Sequence, residues 1–194
     1  MCAYNEQETI EKLKNHDAQT IKEFLKTYRT GIINLCYRFL QNSEDAEDTA
    51  QEAFIELFRS IAHFREESKL STWLYQIAVS KSLDQIRKKK RKKRLAVIQS
   101  ILLRDNQVEQ IPAPSQQQPE SELEKKERIN ILQQAINGLG QNQRIAITLS
   151  KIEGLSNKDV ADIMELSVSS VESLLFRAKL NLRKKLNKYY EKVL

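Results

Sequence analysis

From Asp17 to Leu40 apolar residues recur at Ile21, Phe24, Leu25, Tyr28, Ile32, Leu35, Cys36, Phe39 and Leu40. Steps of three and four place them on one face of a helix, with Asp17 positioned to cap its start. After Asn42 and Ser43, both capping residue types, a second stripe runs through Ala46, Ala50, Ala53, Phe54, Leu57, Phe58 and Ile61. Glu44, Asp45, Glu47, Asp48, Gln51, Glu52 and Glu56 occupy the rest of that helix and give it an acidic outer face. HFREESKL (His63 to Leu70) breaks the pattern. A third helix, starting near Ser71, passes through Trp73, Leu74, Ile77, Ala78, Leu83 and Ile86 into RKKKRKKR, Arg87 to Arg94.

The periodicity fades between about Ala96 and Glu124, where IPAPSQQQPESE (Ile111 to Glu122) carries no bulky core residue after Ile111. It resumes with Ile129, Leu132 and Ile136, breaks at Gly138-Leu139-Gly140, and continues with Ile145, Leu149 and Ile152 up to Gly154. Ser156 with Asp159 forms a capped start for NKDVADIM. Ser169 with Glu172 fits a capping box inside SVSSVESLLFRAKLNLRKKL. The expected fold is all-α, with two small helical domains, 1–95 and 125–194, joined by a flexible linker over 96–124.

Composition narrows the choice. Only four Gly and three Pro occur in 194 residues, which argues against a sandwich, a barrel or a Gly-rich nucleotide-binding fold. No apolar stretch approaches the roughly 18 residues of a membrane span, and Met1 to Ile10 lacks the order of a signal peptide, so a cytoplasmic protein without membrane insertion is expected. Cys2 and Cys36 lie far apart with no C-x-x-C, and Cys36 falls on an apolar stripe, the place of a small core residue. His16 and His63 are isolated and no Gly-rich phosphate loop occurs, so no metal, cofactor or catalytic group is expected.

The net charge of +6 is unevenly spread. Residues 1–94 hold 18 basic and 14 acidic side chains, residues 95–128 hold 4 and 6, and residues 129–194 hold 10 and 6. Two basic bodies thus flank a slightly acidic middle, and the eight consecutive cations from Arg87 to Arg94 suit an anionic partner.

The last two helices have helix-turn-helix spacing. Ala161 is small enough for a close crossing, Val171 plugs the space between the helices, and Glu165 to Ser167 form the turn. Ser169, Ser170, Glu172, Ser173, Phe176 and Arg177 face outward before a basic end of Lys179, Arg183, Lys184 and Lys185. Hydroxyls and an Arg early in such a helix suit base edges, and later cations suit phosphates.

Three stretches in this order, EDAEDTAQEAFIELF (Glu44 to Phe58), STWLYQIAVSKSLDQIRKKKRK (Ser71 to Lys92) and LSKIEGLSNKDVADIMELSVSSVESLLFRAKLNLRKKL (Leu149 to Leu186), resemble regions 2.2, 2.3 to 2.4, and 4 of the extracytoplasmic-function (ECF) sigma factors of the sigma-70 family. The resemblance implies a region 2-like helical bundle and a region 4-like helix-turn-helix domain in a promoter-selecting subunit of bacterial RNA polymerase. Its implied partners are the core polymerase (clamp and flap), promoter DNA and an anti-sigma factor. Asp48, Gln51 and Glu52 match the D-x-x-Q-E that docks on the polymerase clamp, with Phe54 beside them. Phe64 to Leu70, including Lys69, matches the loop that captures a flipped base of the -10 element. Trp73 aligns with the family's W-L-Y, with packing its expected role, and Ser80, Lys81, Gln85, Arg87 and Lys88 lie on the helix that meets the melted strand. Ser173, Phe176 and Arg177 match the S-x-x-F-R positions that face the -35 major groove, in the company of Ser169, Ser170, Glu172 and Lys179. The chain departs from the family at Ser80 (often Asn), Glu165 (often Gly), and Glu172 and Leu174 (often Lys or Arg), so its preferred promoter cannot be copied from another member.

Two other classes compete. A stand-alone helix-turn-helix regulator accounts for residues 129–194 but leaves the order of acidic helix, polar loop and basic helix unexplained. A nucleic-acid-processing enzyme with paired carboxylates such as Asp45 and Asp48 would need a buried basic partner, and the pattern places those acids on an ordinary acidic face.

Overall fold

The computed structural model describes residues 6–103 and 120–193, with side chains described over 6–94 and 127–187. Among the described residues eight α-helices occur and no strand: α1 (Glu6–Lys14), α2 (Ala18–Leu40), α3 (Ser43–Ser60), α4 (Leu70–Leu103), α5 (Glu120–Asn137), α6 (Gln141–Ile147), α7 (Asn157–Met164) and α8 (Val168–Val193). A 3-10 turn, Ile61–His63, follows α3, and a π turn, Thr148–Ile152, follows α6.

Local chemistry sets the helix ends. Asp17 accepts from the backbone N–H and the hydroxyl of Thr20 at 2.7 and 2.6 Å, which caps α2 and holds the Asp17 carboxyl below its usual range. Asn42 Oδ1 accepts from the Asp45 N–H at 2.9 Å, and Glu44 and Asp45 add negative charge to the first turn of α3. At α7 the Ser156 hydroxyl accepts from the Asp159 N–H at 3.1 Å while donating to the Asp159 carboxylate at 2.5 Å. These caps are the expected ones. The cap of α8 is not: the Ser167 hydroxyl accepts from the Ser170 N–H at 3.2 Å, so the cap sits two residues before Ser169 and the helix starts at Val168. The expected Ser169–Glu172 capping box does not form, because Ser169 is already inside the helix.

In the first body α2, α3 and α4 pack on one another. Ile32, Leu35, Cys36 and Phe39 meet Ala46, Ala50, Ala53 and Leu57 of α3 and Leu74 and Ala78 of α4 in a core from which solvent is excluded. The three alanines on α3 allow close helix approach, and Phe24, Phe54 and Phe58 close one end with ring centroids 6.1 to 6.4 Å apart. Cys36 is fully buried, and burial raises its thiol to about 11. α1 lies against α2 and the 3-10 turn.

The second body gathers α5 to α8 around Ile136, Ile145, Ala146, Leu149, Val160, Ala161, Val171 and Leu175. Ala161 and Val171 are buried as the helix-turn-helix spacing expects. Glu165 ends α7 in the left-handed region at φ 54°, a conformation that favours glycine.

Two features of the structure bear on the expected domain plan. α4 does not end at 95 but continues to Leu103, and α5 already begins at Glu120, so helix covers both ends of the stretch expected to be a linker. Its middle, 104–119, lies outside the described residues. The two bodies also touch, since α7 rests on α4 and their buried apolar residues form one continuous cluster. Polar contacts line the junction. Arg38 Nε donates to Glu153 Oε1 at 2.8 Å, Gln76 Nε2 donates to Glu165 at 2.8 Å, and Asp159 meets the Thr72 hydroxyl at 3.4 Å and Lys69 at 3.9 Å. The Arg144 guanidinium sits 5.4 Å from the centre of the Phe39 ring. The π turn and Gly154, at φ 73°, bracket Glu153 where it meets Arg38.

Candidate nucleic-acid interface

α3 is acidic on two sides that do different things. Asp45 and Glu56 turn towards α4: Lys81 Nζ reaches Glu56 at 3.3 Å, Gln85 donates to Asp45 at 3.3 Å, and Lys89 pairs with Asp45. The Lys89 bond is the main reason the Asp45 carboxyl lies below its usual range. Asp48, Gln51 and Glu52 are exposed on the outer side, as a docking face requires. Phe54, expected beside them, is instead 5% exposed and belongs to the aromatic cluster. The apolar residue on the acidic face is Ile55, 58% exposed and one turn beyond Gln51 and Glu52. An apolar residue off the buried stripe was its signal in the sequence.

The loop before α4 places its residues unequally. Phe64 is buried and stacks on Trp73, with centroids 4.8 Å apart and planes 24° apart, so it supports the loop from beneath rather than offering a ring to a base. Trp73 is half-buried through this stacking. Arg65, Glu66, Glu67 and Lys69 are exposed. On α4, Ser80 and Lys88 are exposed, Arg87 pairs with Asp84 at 2.8 Å, and Lys81 and Gln85 are tied to α3. Trp73, Ser80, Lys81 and Arg87 line a cleft of about 760 Å³ closed on the other side by Asn142, Met164 and Glu165 of the second body. Residues expected to meet a melted strand therefore face the helix-turn-helix domain in this arrangement.

On α8, Ser169, Glu172, Ser173, Arg177 and Lys179 are exposed and Phe176 is 65% exposed. Ser170 is not a free surface hydroxyl, because it is drawn into the cap with Ser167 at 2.8 Å. Arg177 Nε donates to the Ser173 carbonyl at 3.2 Å, which holds the guanidinium along the helix. Asn142, near the start of α6, shares a hollow with Ser169, Ser173 and Arg177. Sequence reading missed it because only the fold brings it beside α8. A donor-acceptor amide in that place suits a base edge.

Two family models match the chain: Sigma-70 region 2 over residues 24–92 and Sigma-70, region 4 over residues 129–182. The chain belongs to the sigma-70 family, in its ECF group. It is 35% identical over 177 residues to the ECF RNA polymerase sigma factor SigW of Bacillus subtilis (strain 168), spanning 91% of this chain and 94% of SigW. The fold of this sigma-70 family member is similar to that of CnrH in complex with the cytosolic domain of CnrY, with a TM-score of 0.68 and 17% identity over 94% of this chain and 97% of that one. It is also similar to the sigma factor RpoE in complex with the anti-sigma factor NepR from Bartonella quintana, with a TM-score of 0.62 and 23% identity over 86% and 96%. Among the described residues of this family member no helix is long and apolar enough to cross a membrane, and no group of three or more His, Cys, Asp or Glu side chains could hold a metal ion.

Proposed function

We infer that the chain is an ECF sigma factor that directs core RNA polymerase to promoters through separate -10 and -35 contacts. The observation that carries this reading is the division of charge on α3. One acidic side is used up on α4, while Asp48, Gln51, Glu52 and Ile55 remain outward, a mixed acidic and apolar face suited to a basic helical partner. The clamp of the polymerase is that partner. α4 and the loop before it take the unpaired -10 strand, with cations on phosphates and the loop on a flipped base. α8 enters the -35 major groove, where Arg177, Ser173 and Asn142 reach base edges and Lys179 reaches the backbone. The chain supplies binding and strand capture, and the polymerase performs nucleotide transfer. An anti-sigma factor is the regulator we propose for it, acting in the cytoplasm.

The closed packing of the two bodies suits this role. Separation of α7 from α4 uncovers the cleft-facing side of the strand-binding helix, and the polymerase sets the spacing of the two promoter contacts. The test is transcription in vitro with core polymerase over a pool of genomic fragments. Discrete start sites that need the chain, and are lost on charge reversal of Asp48 and Glu52, support the reading. Tight sequence-specific duplex binding by the chain alone, with no effect on core polymerase, would establish a stand-alone regulator instead.

A further inference from the structure

We propose that α1, which lies outside the region 2 match beginning at residue 24, is the positioning element of the base-capturing loop, through Glu6 and Lys14. This rests on the reading of Phe64 to Leu70 as the segment that takes a -10 base.

The loop needs outside support. α4 starts at Leu70, a residue only 3% exposed, so its N–H requires a partner within the protein. The preceding residue, Lys69, has no acceptor in its side chain. The Ser68 hydroxyl is directed at the Lys69 carbonyl. The acceptor comes from 64 residues away: Glu6 Oε1 takes the Leu70 N–H at 2.7 Å. A carboxylate at a helix N-terminus also meets the positive end of the helix dipole. The middle of the loop is held by the same helix, since Lys14 Nζ donates to Glu66 Oε1 at 3.2 Å. Glu66 has a left-handed backbone, φ 59°, which needs such a tether to persist. The start of the loop leaves the 3-10 turn on which α1 packs, with Thr9, Ile10 and Leu13 buried. One short helix thus fixes the beginning, middle and end of the loop. Glu6 and Thr9 also form a wall of a hollow of about 320 Å³ whose other sides include Tyr28, Lys69 and Ser71.

The experiment uses holoenzyme made from the full chain. Its probes are single-stranded oligonucleotides carrying the -10 sequence of a promoter recovered by transcription, and the same strand with each base replaced in turn. Glu6→Ala is expected to reduce discrimination between the correct and replaced base by about fivefold, the equivalent of one lost helix cap, while Glu6→Gln, which keeps an acceptor oxygen, retains it. Lys14→Glu weakens discrimination and Lys14→Glu with Glu66→Lys restores it. That exposed pair adds little to stability, so its result stands even where Glu6→Ala melts early. Core binding and -35 duplex affinity stay unchanged in all four variants. Wild-type discrimination in both Glu6→Ala and Lys14→Glu, alongside its loss in a Lys69→Ala control, would overturn the role of α1 and leave the loop reading intact. Unchanged discrimination when Arg65 to Lys69 are all replaced by glycine and serine would overturn the loop reading and the positioning role together.

Discussion

Replacing Glu153 with Ala tests the junction between the two bodies where it is strongest. The Glu153 side chain is 11% exposed and Arg38 is 36% exposed, so their 2.8 Å contact is better shielded from solvent than the other ion pair across the junction, Lys69 with Asp159 at 3.9 Å. A fully buried charge stripped of its partner costs several kcal/mol, but Arg38 is already a third exposed and regains water when the bodies part. The loss is therefore about 1 to 2 kcal/mol, closer to one charge-assisted hydrogen bond than to a broken buried pair. That corresponds to a rise of roughly 5- to 30-fold in the ratio of open to closed molecules.

The measurement is energy transfer between dyes on cysteines introduced at Lys22 and Lys158, both exposed, in a Cys2→Ser background where buried Cys36 does not label. Glu153→Ala and Arg38→Ala should lower transfer to the same degree, and the double variant should lower it no further. A polar junction of this kind also opens as salt screens its outer pair. Equal transfer in the wild type and both single variants would show that the contact does not hold the bodies together. Additive losses in the double variant would show that the two side chains act through separate partners.

Three other outcomes follow from the geometry. Ser167→Ala should cost about 1 kcal/mol by thermal melting, whereas Ser169→Ala and Glu172→Gln should leave the melting temperature unchanged, because only Ser167 caps α8. Burial raises Cys36 from 9.0 to about 11, so the folded state is favoured by its neutral thiol in full below pH 9, and that contribution disappears as pH rises from 9 to 11. Tyr28 and Tyr75 are raised by burial as well, so the test is a shallower alkaline loss of stability in Cys36→Ala than in the wild type, and parallel curves would refute it. Arg177→Ala should cost about 1 to 3 kcal/mol in holoenzyme binding to its preferred -35 element and relax selectivity at one position in a randomised promoter library, with uniform weakening counting against base readout.

The parts of this fold readable from sequence are those governed by neighbours along the chain. Asp17, Asn42 and Ser156 cap where they were expected to, since a cap involves a residue and its own next turn. The SVSS stretch misled because it offers hydroxyls at 167, 169 and 170, and the start of α8 depends on how the turn meets α7. The end of α4 misled for a different reason. Eight adjacent cations repel one another and look like the end of a helix, yet Asp45 on α3 offsets part of that repulsion by pairing with Lys89 across the packing. Phe64 lies inward, stacked on Trp73, because a loop aromatic carries no periodic signal of its side, whereas Phe54 stays on the buried stripe that its spacing gave it and leaves the off-stripe Ile55 as the outward apolar residue. The contact of Arg38 with Glu153 spans 115 positions between ordinary polar residues, so only the folded chain brings it into view.

The basic run can now be counted by contacts. Of its eight cations, Arg87 pairs with Asp84 and Lys89 with Asp45, which leaves six, Lys88 and Lys90 to Arg94, exposed and without an ion pair among the described residues. α3 pins the start of the run to the first body through Lys89 and Asp45, so on the proposed reading its phosphate contacts would begin at a fixed place near Gln85. Beyond that point the cations repel one another, and a nucleic-acid backbone lowers that repulsion by replacing small counterions. If all six engage a single strand, log affinity falls with log salt with a slope of about 4, and each cation neutralised removes about 0.7 of it. Replacing Lys90, Arg91 and Lys92 with Gln should therefore bring the slope down by about 2 and weaken cognate and altered -10 strands alike. Replacing Lys89, whose charge is already matched by Asp45, should change the slope far less. Equal effects at Lys89 and Lys90 would mean that Asp45 releases its partner on binding, and an unchanged slope in the triple variant would mean that the run never touches the strand.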